Sequence, residues 1–249
     1  MNGSQQIEGA SDSSRADATI AAGLGRPGGE RYIEDIGVGP YPTPWPQDDR
    51  LDPVLLTDGD RRNVLDRFRY WKTEAIIAEL DEHRHDFHVA IENFAHDFNI
   101  GSVVRTANAF GAREVHIVGR RRWNRRGAMV TDRYQHIRHH DSAASLALWA
   151  AAEGVPLVGI DNLPGSVPLE TYELPHTCVL LFGQEGPGLS DEARTSCTAT
   201  LSIAQFGSTR SINAGAAAAI AMHAWIRRHT FNQPAESGLM DPETPDLGP

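Results

Sequence analysis

Three short segments hold the residue types that could do chemistry. The first is Asn99-Ile100-Gly101-Ser102-Val103-Val104-Arg105. The second is Phe182-Gly183-Gln184-Glu185-Gly186-Pro187-Gly188-Leu189-Ser190. The third is Ser211-Ile212-Asn213-Ala214-Gly215, at the head of an alanine-rich run. Each has a plain local reading. Asn is a favoured helix cap, so Asn99 can open a helix on which Arg105 is an ordinary surface residue. Gly183, Gly186 and Gly188 permit tight turns and close approach of backbone to a ligand. Ser190 and Asp191 can cap a short helix after the glycines, and Ser211 and Asn213 can cap the last helix. Glu185, set among the glycines, can accept hydrogen bonds. A phosphate loop is excluded: the segment lacks G-x-x-x-x-G-K-[ST], and Lys72 is the only lysine in the chain.

Arg120, Arg121, Arg122, Arg125 and Arg126 cluster around Trp123 and Asn124. Over residues 99–145 nine arginines face only Glu114, Asp132 and Asp141. Such a run can be a solvated loop. A planar ring among guanidiniums also fits phosphates and unstacked bases. His83, His85 and His88, and His136, His139 and His140, lack partner cysteines or an H-E-x-x-H pattern, so no metal is expected. The second set is expected to extend the face that carries these arginines. Cys178 sits in an apolar run and reads as core. With Cys197 the only other cysteine, no disulfide scaffold is expected.

The elements that must position these residues alternate. Val64, Phe68, Trp71, Ala75 and Leu80 recur at near-helical spacing and predict a helix of about 20 residues from Asp60, capped by Thr57 or Asp58. Strands are expected at 87–94, 114–118, 156–160, 178–182 and 200–204. Helices are expected at 100–110, 142–153, 191–196 and 212–228. This order favours an α/β fold, a parallel sheet flanked by helices. The three segments each follow a predicted strand, so they converge at the carboxyl edge of the sheet, where such folds bind ligands.

In their order and spacing, the three segments resemble the motifs of the SpoU (TrmH-like) family of the SPOUT RNA 2′-O-methyltransferases, over roughly residues 87–229. The resemblance implies transfer of a methyl group from S-adenosylmethionine to a ribose 2′-hydroxyl of tRNA or rRNA, with tRNA slightly favoured. It implies a C-terminal trefoil knot, which local rules would not suggest, and a homodimer with the alanine-rich last helix at the interface. It implies catalytic roles for Asn99, Arg105, Glu185, Ser211 and Asn213. Gly183, Leu181, Gly188, Ile203 and Ile212 would border the cofactor, and Arg120, Arg121, Arg122, Arg125 and Arg126 would meet RNA. Arg105 keeps its proton, with a pKa above about 12, so it would orient and stabilise charge rather than act as a base. Ile212 stands where leucine is more usual. A non-catalytic RNA-binding module on the same fold and a SPOUT-type base methyltransferase are the alternatives.

The formal charge of −10 is unevenly spread. Residues 1–60 hold eleven acids against four arginines, residues 234–249 four acids and no base, and the middle is close to neutral. The acidity therefore says little against RNA as a partner of the core. The expected organisation is a disordered or irregular extension over 1–56, Pro-rich from 37 to 53 with Tyr41 and Trp45 available to a partner. A helical flank over 57–85, the methyltransferase domain over 86–233 and an acidic disordered tail over 234–249 complete it. No apolar leader or span of about 20 residues is seen, so a cytoplasmic protein without membrane contact is expected.

Overall fold

The apolar runs form one parallel seven-stranded sheet in the order β3-β2-β1-β6-β4-β7-β5. The structure is a computed structural model and describes residues 37–94 and 99–233. The strands are β1 (Phe87–Asn93), β2 (Val115–Gly119), β3 (Ile137–His140), β4 (Leu157–Ile160), β5 (Val167–Pro168), β6 (Cys178–Phe182) and β7 (Ala199–Ser202). Central β1 and β6 are buried along their whole length. Burial on both faces is why these strands read as continuous apolar runs rather than alternating ones.

Two helical layers cover the sheet. Helices α3 (Ile100–Ala109) and α6 (Ala214–His229) pack Val103, Val104, Ala107, Ala218, Met222 and Trp225 against Val89, Ile91, Ile117, Leu180 and Phe182. Helices α4 (Ala143–Glu153) and α5 (Asp191–Ser196) pack Leu146, Ala150 and Ala193 against Ala90, Val118, Val179 and Leu181. Successive strand residues thus serve opposite layers, as the pleat requires. Small residues along α6 let its backbone lie close to the sheet, and Trp225 fills the gap beside Phe87 at 4.6 Å. Buried Trp225 stays satisfied because its Nε1 donates to the carbonyls of Pro175 and His176.

The flank departs from the single long helix expected from Asp60. A short helix, α1 (Pro53–Asp58), comes first, capped by Asp52 with proline in its first turn. Thr57 and Asp58 therefore end a helix rather than start one. A 3-10 turn (Asp66–Phe68) and helix α2 (Thr73–Asp81) come next, separated by Tyr70 at φ 64°. The cause is Asp60, which is fully buried. Its carboxylate accepts from the backbone N–H groups of Arg62 (3.0 Å) and Tyr70 (2.9 Å) and pairs with the Arg62 guanidinium. Those bonds tie residues ten apart and hold the chain in a loop. Tyr41, expected to face a partner, packs edge-on against Tyr70 at 5.3 Å.

Strands β3 and β5 were not anticipated. The first is a polar edge strand and the second has only two residues, so neither carries an apolar run. The last helix starts at Ala214, not Ile212. Cys178 is core, as expected, and burial pushes its thiol up to about 12. Of the disordered or irregular extension expected over 1–56, residues 1–36 lie outside the described residues, as does the expected tail over 234–249. No helix among the described residues is long and apolar enough to cross a membrane.

Candidate active site

The glycine segment leaves β6 and folds straight back. Gln184 and Gly188 exchange two backbone hydrogen bonds of 3.0 Å each. A Cβ added at Gly183 would collide with the backbone of Gly188 and Leu189. Gly183 is therefore required by the loop's own closure. Gly188 has φ +73°, and a Cβ there would meet the Asp161 carboxylate. Asp161, at the end of β4, accepts from the N–H of Leu189 at 2.8 Å and from that of Asn162 at 2.7 Å. On the far side Glu92 accepts from both the N–H (2.8 Å) and the hydroxyl (2.6 Å) of Ser190. Burial raises the Glu92 carboxyl above its ordinary range, opposed by those two bonds. Ser190 also caps α5, in line with its plain local reading. Neither Asp161 nor Glu92 was singled out from sequence. A carboxylate within or just after a buried strand at the ligand edge was the available signal.

The loop walls a cleft of about 250 Å³ beyond the carboxyl ends of β4, β6 and β7. Ile160, Phe182, Ile203 and Ile212 supply apolar surface, and Asp161, Gln184, Glu185, Gln205, Ser211 and Asn213 supply polar groups. Gly183 and Gly188 line it; Leu181 does not, being fully buried against the α4 and α5 layer. Apolar walls beside exposed backbone suit a flat heterocycle carrying a polar sugar.

One hydrogen-bonded chain joins all three motif segments at the mouth of this cleft. Asn213 Oδ1 accepts from the N–H groups of Gly215 (2.9 Å) and Ala216 (3.2 Å), capping α6. Its Nδ2 must then point outward, and it donates to Asn99 Oδ1 at 2.9 Å. Asn99 Nδ2 in turn donates to Glu185 Oε2 at 2.8 Å. Each amide has one acceptor and one donor end, so the α6 N-terminus sets the orientation of the whole chain. Asn99 precedes α3 but makes no side-chain capping bond, so the cap reading fails for it and holds for Asn213. The two helix starts lie close together: a Cβ at Gly215 would be in ordinary contact with Ser102 and Asn99 Oδ1 and would crowd only the capping Asn213 Oδ1, at 3.1 Å.

Arg105 is not brought into this cleft. It is exposed, six residues and so about 9 Å along α3 from Asn99. It lines a separate cleft of about 670 Å³ with Asn63, Arg67, Phe68 and Tyr134. Arg120, Arg121, Arg122, Arg125 and Arg126 are all exposed. Asn93 Nδ2 holds the carbonyls of Arg120 (2.7 Å) and Arg122 (3.0 Å), and Arg125 lies 5.6 Å over Trp123. Gly127 packs on Gly101, where a Cβ would lie 2.7 Å from Gly127 Cα, so the arginine loop sits against the first turn of α3.

The second histidine set does not extend that face. His136 pairs with Asp81 at 2.8 Å, His139 bonds the Gly119 carbonyl, and His140 is buried. The first set is dispersed: His83 lies beside Glu79, His85 packs on Trp225, and His88 is buried.

Residues 86–223 match the model of the SpoU rRNA Methylase family. The chain belongs to that family. An uncharacterized tRNA/rRNA methyltransferase of Mycolicibacterium vanbaalenii is 33% identical over 141 residues, which is 54% of this chain and 44% of the relative. The chain thus spans less than half the length of that relative. The SpoU methyltransferase AviRb of Streptomyces viridochromogenes, solved with AdoMet, superposes with a TM-score of 0.54 at 28% identity, covering 59% of each chain. A structure solved for the 2-OH methylation of C/U34 on tRNA has a TM-score of 0.52 at 27% identity, covering 59% of this chain and 98% of that one. The SpoU region contains all three motif segments, the arginine loop and both bracing carboxylates.

Proposed function

We propose that this SpoU protein transfers the methyl group of S-adenosylmethionine to a ribose 2′-hydroxyl of structured RNA, with tRNA favoured slightly over rRNA, in the cytoplasm. The observation that carries the reading is the Asn213–Asn99–Glu185 chain, which gathers three distant segments around one cleft. Likeness to AviRb with AdoMet supports the cofactor, and likeness to the structure for 2-OH methylation on tRNA supports the ribose target.

The cofactor supplies an electrophilic methyl group on sulfonium sulfur. This chain's residues bind, orient and exclude. The backbone of Gly183–Gly188 and Ile203–Ile212 would hold the cofactor, with Ile160, Phe182, Ile203 and Ile212 as its apolar walls. When bound, the cofactor would supply that methyl group to a ribose 2′-oxygen held at the mouth of the cleft. Glu185 would receive or position that hydroxyl; its exposed carboxylate, with one oxygen fixed by Asn99, supports the role. Ser211, which also lines the cleft, would steer the same group. Such positioning can supply much of the acceleration. Arg105 faces outward, where it would hold a phosphate and stabilise charge, and the arginines around Trp123 would carry the RNA backbone.

A homodimer completes this reading. Exposed Ile220 on α6, with Phe110 and Ala224, borders a cleft of about 470 Å³ that a second copy would cover. A trefoil knot is proposed from the course of the chain after β7. That segment shares the cleft with the glycine loop through Ile203, Gln205, Ser211 and Ile212, and Asn162 Nδ2, after β4, reaches the Arg210 carbonyl at 3.4 Å.

The test is incubation with methyl-labelled S-adenosylmethionine and bulk tRNA or rRNA, followed by digestion to nucleosides and mass analysis. Labelled 2′-O-methylnucleosides, chiefly from tRNA, are expected. A methylated base would shift the reading to base methylation. RNA binding with no cofactor affinity would reduce the protein to a binding module.

A further inference from the structure

On the sheet face beneath α4, three imidazoles form a buried row that runs from near the amino end of β1 to the carboxyl end of β3. His88 Nδ1 lies 3.1 Å from His116 Nε2, and His116 Nδ1 lies 2.9 Å from His140 Nε2. His88 is 6% exposed and His116 0%. The indole of Trp149 on α4 covers them, 4.3 Å from the His116 ring. Strand register brings them together: Ala90 on β1 pairs with His116 on β2, which pairs with Arg138 on β3. The same register sets Glu114 beside His88, and Glu114 Oε2 lies 3.9 Å from His116 Nε2.

We propose that His88, Glu114 and His116 form a binding site for one zinc ion, with a fourth coordination position open to water. One ligand atom from each lies within 4.8 Å of the others. Tetrahedral zinc with bonds of about 2.0–2.2 Å has ligand–ligand edges of roughly 3.3–3.6 Å. Two of the three separations, 3.1 and 3.9 Å, straddle that range and the His88–Glu114 separation lies within 4.8 Å, so closure is reached by small rotations, chiefly of the Glu114 side chain. Two borderline imidazoles with one carboxylate are a donor set that suits zinc, whereas calcium and magnesium take oxygen ligands throughout.

The surroundings orient the ligands as a metal site requires. With its proton on Nδ1, His116 donates to His140 Nε2 and turns its Nε2 lone pair toward His88 and Glu114. Glu114 Oε1 accepts from Arg138 Nε at 3.0 Å, leaving Oε2 free to coordinate. Metal-binding histidines and carboxylates are characteristically held by such outer bonds. Two of the three ligands, His88 and Glu114, border a cleft of about 490 Å³ that also exposes Arg113, Arg138 and Glu153, with His116 fully buried behind them. That cleft gives the ion an entry path and room for a water ligand. Arg138 places a cation near the ion, and its exposure to the cleft and stacking on Trp149 at 5.3 Å limit that repulsion. No local ligand pattern announces the site, because its residues lie on two strands. It sits near the amino ends of β1 and β2, away from the methyl-transfer cleft, and does not rest on the function proposed above.

Chelator-treated full-length protein is titrated with zinc chloride against a chromophoric competitor. One zinc per chain is expected, with affinity at least about 10-fold lower in Glu114→Gln and in His88→Gln. Cobalt(II) bound to the wild-type chain should give the intense visible absorption of a four-coordinate ion. Substoichiometric zinc in the wild type overturns the proposal. So do variants that fold and hold zinc as tightly as the wild type, which would assign the ion to surface histidines. If neither variant folds, a weak octahedral cobalt spectrum from the wild type overturns it alone.

Discussion

The two edges of this sheet use polar side chains in opposite ways. At the carboxyl edge, Asn99, Glu185 and Asn213 form a chain at the protein surface, anchored on the α6 N-terminus. Towards the amino ends of β1 and β2, His88 and His116 begin a buried row beneath Trp149 that runs to His140 at the end of β3. Burial lowers the His88 pKa to about 4 and the His116 pKa to about 2, with neighbouring positive charge adding to the effect. The exposed chain can exchange a partner for a substrate group at little cost in folding. The buried row cannot lose or gain a proton without affecting the fold. An active site needs the first property, and a rigid scaffold or metal-holding site fits the second.

The largest expected effect comes from Gly183→Val, which strikes the loop on which the carboxyl edge depends. The branched side chain would fall on the Gly188 backbone, so destabilisation of about 3 kcal/mol or more is expected in urea melts. Calorimetry should show cofactor affinity lost with it. A melt near wild type would show that the loop can reopen, and that Gly183 serves the ligand rather than the fold.

Asn99→Ala should separate function from stability. It cuts the link between Glu185 and Asn213, and methyl transfer should fall by roughly 100-fold through misplacement. The melt should move little, because these groups are not deeply buried. A large loss of stability with normal turnover would make the two edges alike.

The amino edge should respond to pH instead. His88 and His116 have folded pKa values below the unfolded value near 6.5, so the unfolded chain binds more protons below that pH. Their contribution is complete above about pH 6.5 and is lost as pH falls toward 4, by up to about 1.4 kcal/mol per pH unit for each. Denaturation of wild type and His88→Gln between pH 7 and 5 should show the steeper slope in the wild type. Equal slopes would place the titration elsewhere. The depressed carboxylates Asp60, Asp81 and Asp86 act in a separate window, below about pH 4.

The smallest effect is graded. Replacing Arg121, Arg122, Arg125 and Arg126 by Ala should lower the log–log salt slope of RNA binding by roughly 0.7–0.9 for each phosphate that is no longer neutralised. An unchanged slope would make the loop a solvated surface.

The sequence by itself determined the elements whose signals are local. Buried strands such as Cys178–Phe182 carry unbroken apolar runs, and helix α4 carries Ser142 as its cap and Gly154 at its end. The three motif segments were legible for the same reason, since each is a contiguous run of few residues. Tertiary structure decided what depends on partners far along the chain. Asp60 turned an expected helix into a loop by reaching Tyr70. Asn99 proved a link between segments rather than a cap, because Asn213 and Glu185 lie 114 and 86 residues away. Asp161 braces the glycine loop from another strand. The histidine row exists only through the register of β1, β2 and β3. Local propensity acts through neighbours within a turn or two, whereas a buried or bridging polar group is placed by whichever donor the finished fold brings to it.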